Sequence, residues 1–387
     1  MQVTSPRPPS AGNQDFAALR RGNRVYADKT RLIFDLCAGS GSMVLLMRPP
    51  RFGKSLLVSA IESLFRFGLR DFQGLAMESL WRDKTYEVVR LDFSVLQGLR
   101  SEEIFETAFQ SLIRTKFADA GFCCSSKDGG ISFFDQFGEW LCALEPRSLV
   151  ILVDDFDAPL AAVLDDPALY RTVSHLLSRF YAVVKANEGR LRFFLMTGTA
   201  NFRGSSLFSE LNSVTDITLD AWFGTLLGFT EEELETWFAS DLKRAESALG
   251  LSRRELLLML ETHYGGFSFD RRAKTKVFSP ASILDFLARP EAGFRNYWLA
   301  SSGMPLVLRN HSAVKGLLLP EDLTGEIAVE VGTLASSLRC DDAYPYALLT
   351  QAGCLTIRRE LVTGIVELGV TNREASDVVE RLSAGGC

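Results

Sequence analysis

Histidine is scarce in this chain: three occur in 387 residues, at His175, His263 and His311, each isolated from the others. A histidine relay or a histidine-based metal centre therefore has little to draw on, and each reads as a structural residue. Cysteine supplies no metal pattern either. The seven, Cys37, Cys123, Cys124, Cys142, Cys340, Cys354 and Cys387, form no C-x-x-C, and the adjacent Cys123-Cys124 has no histidine close by in sequence. An odd, scattered set argues against a disulfide framework and a zinc site, and reads as reduced thiols of an intracellular, cytoplasmic protein. No run is apolar for the roughly 20 residues that a membrane span requires. Met1 to Gln14 is rich in proline and serine without an apolar centre, so a disordered tail is expected there and not a secretory leader. Positive charge is not in excess: 42 Lys and Arg stand against 48 Asp and Glu, a net charge of −6. The global balance does not argue for a dominant nucleic-acid surface, and leaves room for a local basic patch. A G-x-G-x-x-G after a strand is missing, which removes a dinucleotide fold, and Gly39-Ser40-Gly41-Ser42 only superficially resembles the nucleophile elbow of a serine hydrolase.

What is present is a globular composition, 47% apolar and 23% charged, long enough to bury a large core in two or three domains. Phe16 to Leu36 reads as two short helices around a turn at Arg21-Gly22-Asn23. Val44-Leu45-Leu46-Met47, Val88 to Phe93, Leu149 to Val153 and Leu191 to Met196 are apolar runs of strand length. The Leu149 run lacks the alternation of a half-exposed strand, as buried parallel strands do. Helices are predicted at Ile104 to Phe117 and Phe133 to Leu144, with a loop at Lys127 to Gly130. Strands separated by helices argue for a mainly parallel sheet covered on both faces, an α/β fold. After Phe229 the character turns charged and helical: Thr230 with Glu233 three residues on is a capping box. Helices are expected at Glu231 to Ala239, Arg253 to His263, Pro280 to Leu287 and Ala313 to Leu318, with a break at Gly265-Gly266 and a small hairpin unit in Thr350 to Ile365.

The chemistry concentrates where the first strand ends. Arg48-Pro49-Pro50-Arg51-Phe52-Gly53-Lys54-Ser55 leads into a helix with Leu57, Ile61, Leu64 and Phe65 at a 3.6-residue period. Strand, loop, Gly-Lys-Ser and helix form the layout of a nucleotide phosphate cradle. Gly53 permits a tight backbone, Lys54 can reach phosphates and the Ser55 hydroxyl can ligate Mg²⁺. Arg48 replaces the usual opening glycine, and Pro49 and Pro50 remove two amide donors. The second signal is Asp154-Asp155 at the end of the Leu149 strand. Asp154 is placed to hold Mg²⁺ through water, and Asp155 to orient or deprotonate an attacking water. Asp155 is one methylene shorter than the usual Glu, which points to slow hydrolysis, since misplacement by about 1 Å costs on the order of 10²-fold. The third is Thr197-Gly198-Thr199 at the end of the Leu191 strand, where Thr197 is placed to sense a terminal phosphate. Arg203, just beyond, is expected to be solvated.

These segments resemble a known family, the AAA-ATPase-like P-loop proteins often fused to a PD-(D/E)XK-type nuclease domain. Asn23 to Thr30 is similar to the family's N-terminal "YVDKT" signature, Arg48 to Ser55 to its "RPRRFGKS" loop, and Val153 to Leu160 to "IDEYDAPL". Phe208 to Asn212, Gly228 to Glu233, Tyr264 to Phe267, Asn296 to Trp298, Gln351 to Ile357 and Leu368 to Glu374 match in order. The resemblance makes Arg48 a family trait, while Pro50 and Asp155 depart from the pattern. It implies a P-loop core at 15–228 after the tail at 1–14, a helical lid at 229–310 with winged-helix-like character, and a small C-terminal α/β region at 311–387 ahead of where the nuclease domain would follow. Arg48, Arg51, Phe52, Gly53, Lys54, Ser55 and Leu56 are then expected to hold ATP, Ser55 and Asp154 its Mg²⁺, with Asp155 and Thr197 catalytic. The reading is a slow Mg-dependent ATPase or nucleotide-gated switch, with a protein partner through the lid and C-terminal region. The alternatives are a degenerate interaction scaffold, or the ATPase half of a nuclease-linked nucleic-acid system.

Overall fold

Apolar strands with no polar alternation need cover on both faces, and the fold supplies it. The computed structural model describes residues 12, 14–39, 43–124, 131–201, 214–302, 308, 323, 326–334 and 344–383. The expectations for the 1–14 tail (apart from residues 12 and 14), for Ser40 to Ser42, Lys127 to Gly130, Arg203, Phe208 to Asn212, His311 and Ala313 to Leu318 fall outside those residues.

Five parallel strands, β1 (Met43–Met47), β2 (Glu87–Asp92), β3 (Leu149–Asp154), β4 (Leu191–Gly198) and β5 (Thr215–Asp216), pair in the order β2-β3-β4-β1-β5. The strand between the cradle strand and the acidic strand is thus β4. Every residue of β1, β3 and β4 is buried. Successive side chains alternate between two cores, as strand geometry requires. Leu45, Ile151, Val153, Phe194 and Met196 belong to one; Val44, Leu46, Val150, Leu152, Phe193 and Leu195 to the other. Each fully buried Leu, Ile, Val or Phe contributes about 1.5–3 kcal/mol.

The second face is covered by α1 (Phe16–Arg21), α2 (Thr30–Ala38), α3 (Lys54–Phe67) and the short α4 (Met77–Leu80). The first is covered by α5 (Glu102–Phe117), α6 (Phe133–Ala143), α7 (Ala158–Ala162) and α8 (Pro167–Ala186). Their starts are locally encoded. Ser101 accepts from the Ile104 amide, Ser132 from Asp135, and Asp166 from Ala168 and Leu169 ahead of Pro167 at the first turn.

Beyond β5 follow α9 (Glu231–Trp237), α10 (Ala239–Leu249), α11 (Arg253–Tyr264) and α12 (Pro280–Ala288) around Leu234, Phe238, Leu242, Leu260 and Phe286. The Thr230–Glu233 capping box is formed. The Ala239 helix, whose buried Leu242 and Ala245 lie at helical spacing, adds to the expected elements, which had ended the preceding helix at Ala239. His263 is structural, its Nδ1 2.8 Å from the Met259 carbonyl and its ring stacked on Phe294. The chain closes with α13 (Tyr297–Ser302), β6 (Ile327–Glu330), α14 (Val331–Leu334), α15 (Pro345–Ala352), β7 (Leu355–Val362), β8 (Ile365–Val370) and α16 (Arg373–Ser383), the strands forming an antiparallel β6-β8-β7 sheet. The expected hairpin unit is β7–β8, shifted C-terminally because Thr350 still lies in a helix.

Three motifs far apart in sequence meet in this last unit. Asn372 Nδ2 donates to the Gly265 carbonyl at 2.8 Å, and Asn296 Nδ2 to the Glu374 carbonyl at 3.0 Å. The buried Glu374 carboxylate accepts from Ser282 Oγ at 2.7 Å and the Trp298 amide at 3.0 Å. Burial pushes that carboxyl up to about 7 despite these donors.

Candidate nucleotide site

The loop after β1 runs through two left-handed residues, Arg51 (φ 64°) and Gly53 (φ 94°). The second is the N-cap of α3, and no side chain caps the helix's first amides there. Those of Lys54, Ser55 and Leu56 have no intrahelical acceptor and no other partner among the described residues. Together with the helix dipole they make a binding place for an anion.

Lys54 is 7% exposed, and its ammonium donates to the carbonyls of Arg48 (3.0 Å) and Pro49 (3.2 Å) and to Thr199 Oγ1 (3.2 Å). Thr199 follows β4, two strands' worth of chain away from Lys54 but adjacent in the sheet, because β4 is the direct neighbour of β1. Asp157, fully embedded, accepts from the Thr199 amide (3.1 Å) and the Ala200 amide (2.7 Å). Burial raises its carboxyl above the ordinary range, with Lys54 pulling the other way. Gly198 makes this approach possible: a Cβ there would lie 2.5 Å from Asp157 Oδ1 and from Phe156 Cε1.

Asp155 is held in the left-handed region at φ 49°, which aspartate adopts more readily than most side chains. Its carboxyl is pushed up to about 7, first by burial, then by Asp157, Asp154 and Asp92, against the pull of Lys54. Asp155 and Asp157 line one cavity of about 580 Å³ together with Arg51 to Leu57 and Thr199. It sits at the carboxyl ends of β1, β3 and β4, where open α/β sheets place their ligands. The opposite wall is apolar: Val25, Tyr26 and Ala27 from the segment before α2, Leu226 to Phe229, and Phe238 and Leu284 of the helical unit. Two ion pairs tie the helical unit to the core at this rim, Lys29 Nζ to Glu233 Oε2 at 2.6 Å and Arg51 to Asp285 at 3.9 Å.

Three expectations, for Arg48, Thr197 and Asp154, need correction. Arg48 does not face the cavity. Its guanidinium is 1% exposed and donates to the carbonyls of Met47 (2.9 Å), Thr218 (2.8 Å) and Phe223 (3.0 Å), over the Phe269 ring. Its amide is also used, on Gly198. Burial draws its pKa down to about 9. It is a brace between the cradle and the chain after β5. Phe52 does line the cavity, while its ring packs on Phe267 and Phe269 at 4.7 and 5.3 Å. Thr197 is wholly buried and spends its hydroxyl on Asp154 Oδ1 at 2.7 Å; Thr199, two residues on, is the threonine at the cavity. Asp154 lies behind the wall at 2% exposure, its other oxygen 3.3 Å from Arg90 Nη2, so it backs the site instead of lining it. Arg51, Phe52, Gly53, Lys54, Ser55, Leu56 and Asp155 do come together. Asp157, Thr199, Lys29 and the apolar wall were missed. The signal for Asp157 was its place in the Val153 to Leu160 motif, and for Lys29 and part of the wall it was the Asn23 to Thr30 and Gly228 to Glu233 motifs, which hold Val25 to Ala27, Gly228 and Phe229.

The family described as "Predicted AAA-ATPase" matches residues 10–208, half of the chain. This protein belongs to the AAA-ATPase-like family. It is a P-loop ATPase family, consistent with the cradle and the five-stranded parallel sheet. A relative in Azotobacter chroococcum mcd 1, described as an uncharacterized protein in the vnfD 5' region, is 29% identical over 348 residues, which cover 89% of this chain and 63% of that one. The chain thus spans under two thirds of that relative's length. Among solved structures, Cdc6p from Pyrobaculum aerophilum aligns at 13% identity with a TM-score of 0.36, covering 92% of this chain and 94% of that one. The Aeropyrum pernix ORC2 protein, solved as ADPNP–ADP complexes, aligns at 13% identity with a TM-score of 0.33, covering 99% and 97%. Likeness at that level assigns no function. Among the described residues no helix is long and apolar enough to cross a membrane.

Proposed function

We propose that the cavity binds Mg-ATP and that the protein is a slow ATPase or nucleotide-gated switch. The observation that supports this most is the convergence on one cavity of the open first-turn amides of α3, the buried Lys54 ammonium and the Asp155 carboxylate. The polyphosphate lies along Gly53 to Leu56. Lys54 exchanges its two carbonyls for phosphate oxygens while Thr199 stays within reach of the same charge. The base occupies the apolar wall between Val25–Ala27 and Leu227–Phe229. The Ser55 hydroxyl oxygen suits the hard-ligand preference of Mg²⁺, which when bound neutralises phosphate charge and polarises the terminal phosphoryl group.

Asp155 then orients or deprotonates water. A carboxyl near 7 suits a general base at neutral pH, and the short side chain, one methylene less than Glu, is what favours slow turnover. The helical unit acts as a lid, fastened by Lys29–Glu233 and Arg51–Asp285, and reports nucleotide state to a protein partner. Calorimetry of Mg-ATP binding tests the reading. The native protein is expected to give a saturable heat that Lys54→Ala loses while melting cooperatively; equal heats for both proteins would remove the proposal.

A further inference from the structure

One segment of the fold is not used by the nucleotide reading. Residues 267–277 form a strap closed by reciprocal backbone bonds, Phe267 N to Val277 O at 3.2 Å and Val277 N to Phe267 O at 2.8 Å. Its turn is organised from inside. Asp270, 3% exposed, accepts from the amides of Arg272 at 2.9 Å and Lys274 at 3.1 Å, and its carbonyl accepts from Ala273. The tip therefore keeps a defined shape while its side chains point outward. Those side chains are Arg271, Arg272, Lys274 and Lys276, all exposed. Asp270 is the only acid between 268 and 277, and its carboxylate is turned inward. Arg272 has one loose partner, Glu360 at 3.9 Å, and Arg271, Lys274 and Lys276 have no acidic partner among the described residues. Four outward cations in six residues are conspicuous in a chain of net charge −6.

The root of the strap is as specific as its tip. Phe267 and Phe269 hold Phe52 of the phosphate loop between them, and the Arg48 guanidinium lies 4.0 Å over Phe269. The strap is thus a stiff projection whose base is part of the cradle's own support.

We propose that this strap is a contact element for the phosphate backbone of a nucleic acid. Four point charges on a stiff turn suit a repeating phosphodiester, which needs charge and spacing but no side-chain readout. Because the root is the phosphate loop's aromatic support, the bound backbone bears directly on the cradle.

The test uses the full chain, without nucleotide, and a fluorescent duplex of about 20 base pairs. Retained binding at low salt is expected, weakening about 100-fold between roughly 50 and 200 mM salt, as four phosphate contacts require. Reversing all four charges, R271E/R272E/K274E/K276E with Asp270 kept, abolishes binding with unchanged melting. The milder K274A/K276A lowers the salt slope by about 2. Failure of the duplex to bind at low salt, or binding untouched by the fourfold reversal, overturns the proposal. So does a polyglutamate peptide that binds more tightly than the duplex and loses that binding in the same variant, which would assign the strap to an acidic protein partner. Nucleotide is absent throughout, so the result is read independently of the ATP proposal.

Discussion

Replacing Asp155 with Asn separates what the residue costs the fold from what it does in the site. The carboxyl titrates near 3.8 in an unfolded chain and near 7 in the folded protein. The folded state therefore holds that proton more tightly, and ionising it opposes folding. The stability lost this way is small at pH 4, grows as pH rises through the interval between the two values, and levels off above about 7. At about 1.4 kcal/mol for each factor of ten, the ceiling is roughly 4 kcal/mol at pH 8 and about 1.5 kcal/mol at pH 5. Asn has the same outline, tolerates the left-handed backbone that Asp155 adopts at φ 49°, and carries no charge. Asp155→Asn should thus match the native protein near pH 4 and exceed it by up to about 4 kcal/mol at pH 8. Urea unfolding followed by tryptophan fluorescence at both pH values measures the gap. The same variant should keep Mg-ATP binding and lose on the order of 10²-fold or more in hydrolysis, if a positioned base is what it lacks. A stability gap that is the same at pH 4 and pH 8, or a less stable Asn protein at pH 8, would refute the account of Asp155 as an acid held in an unfavourable charged state.

Other perturbations follow from single contacts. Thr197→Val keeps the shape but strips the hydroxyl from Asp154, leaving a buried carboxylate oxygen short of a donor; a loss of about 1–3 kcal/mol is expected in urea, with Thr197→Ser restoring most of it. Gly198→Ala inserts a methyl where Asp157 and Phe156 already lie at 2.5 Å, so a loss of about 1–3 kcal/mol with weakened Mg-ATP binding should appear by melting and calorimetry. The Lys29–Glu233 pair is mostly buried, and a double-mutant cycle with Lys29→Met and Glu233→Gln should show a coupling of about 0.5–3 kcal/mol, where additivity would deny the latch. Glu374 titrates near 7 when folded, so its clamp is firm at low pH and loosens as pH rises from about 4.5 through 7; Glu374→Gln should remove that dependence, seen as equal amide-exchange protection of α16 at pH 6 and pH 8.

Much of this molecule was legible along the chain. The unbroken apolar run of Leu149 to Val153 required burial on both faces and hence a covered parallel sheet. Gly53, Lys54 and Ser55 between a strand and a helix required a cradle. Thr230 with Glu233 required a helix start, and the chain makes it. These are local properties: side-chain periodicity, backbone freedom and capping act within a few residues, so neighbours in sequence suffice to read them. Membership of the site is not local. Thr199 reaches Lys54 across 145 residues of sequence because β4 inserts beside β1. Asp155 faces the cavity and Asp154 does not because the backbone turns left-handed between them. Arg48 is a brace because carbonyls from the distant chain after β5 arrive to receive it. The chain's own chemistry determined that phosphate-binding parts exist; which of those parts point at one another was decided by strand order and by where each strand ends, since only tertiary contact chooses between a carboxylate that lines a cavity and its neighbour that holds up the wall.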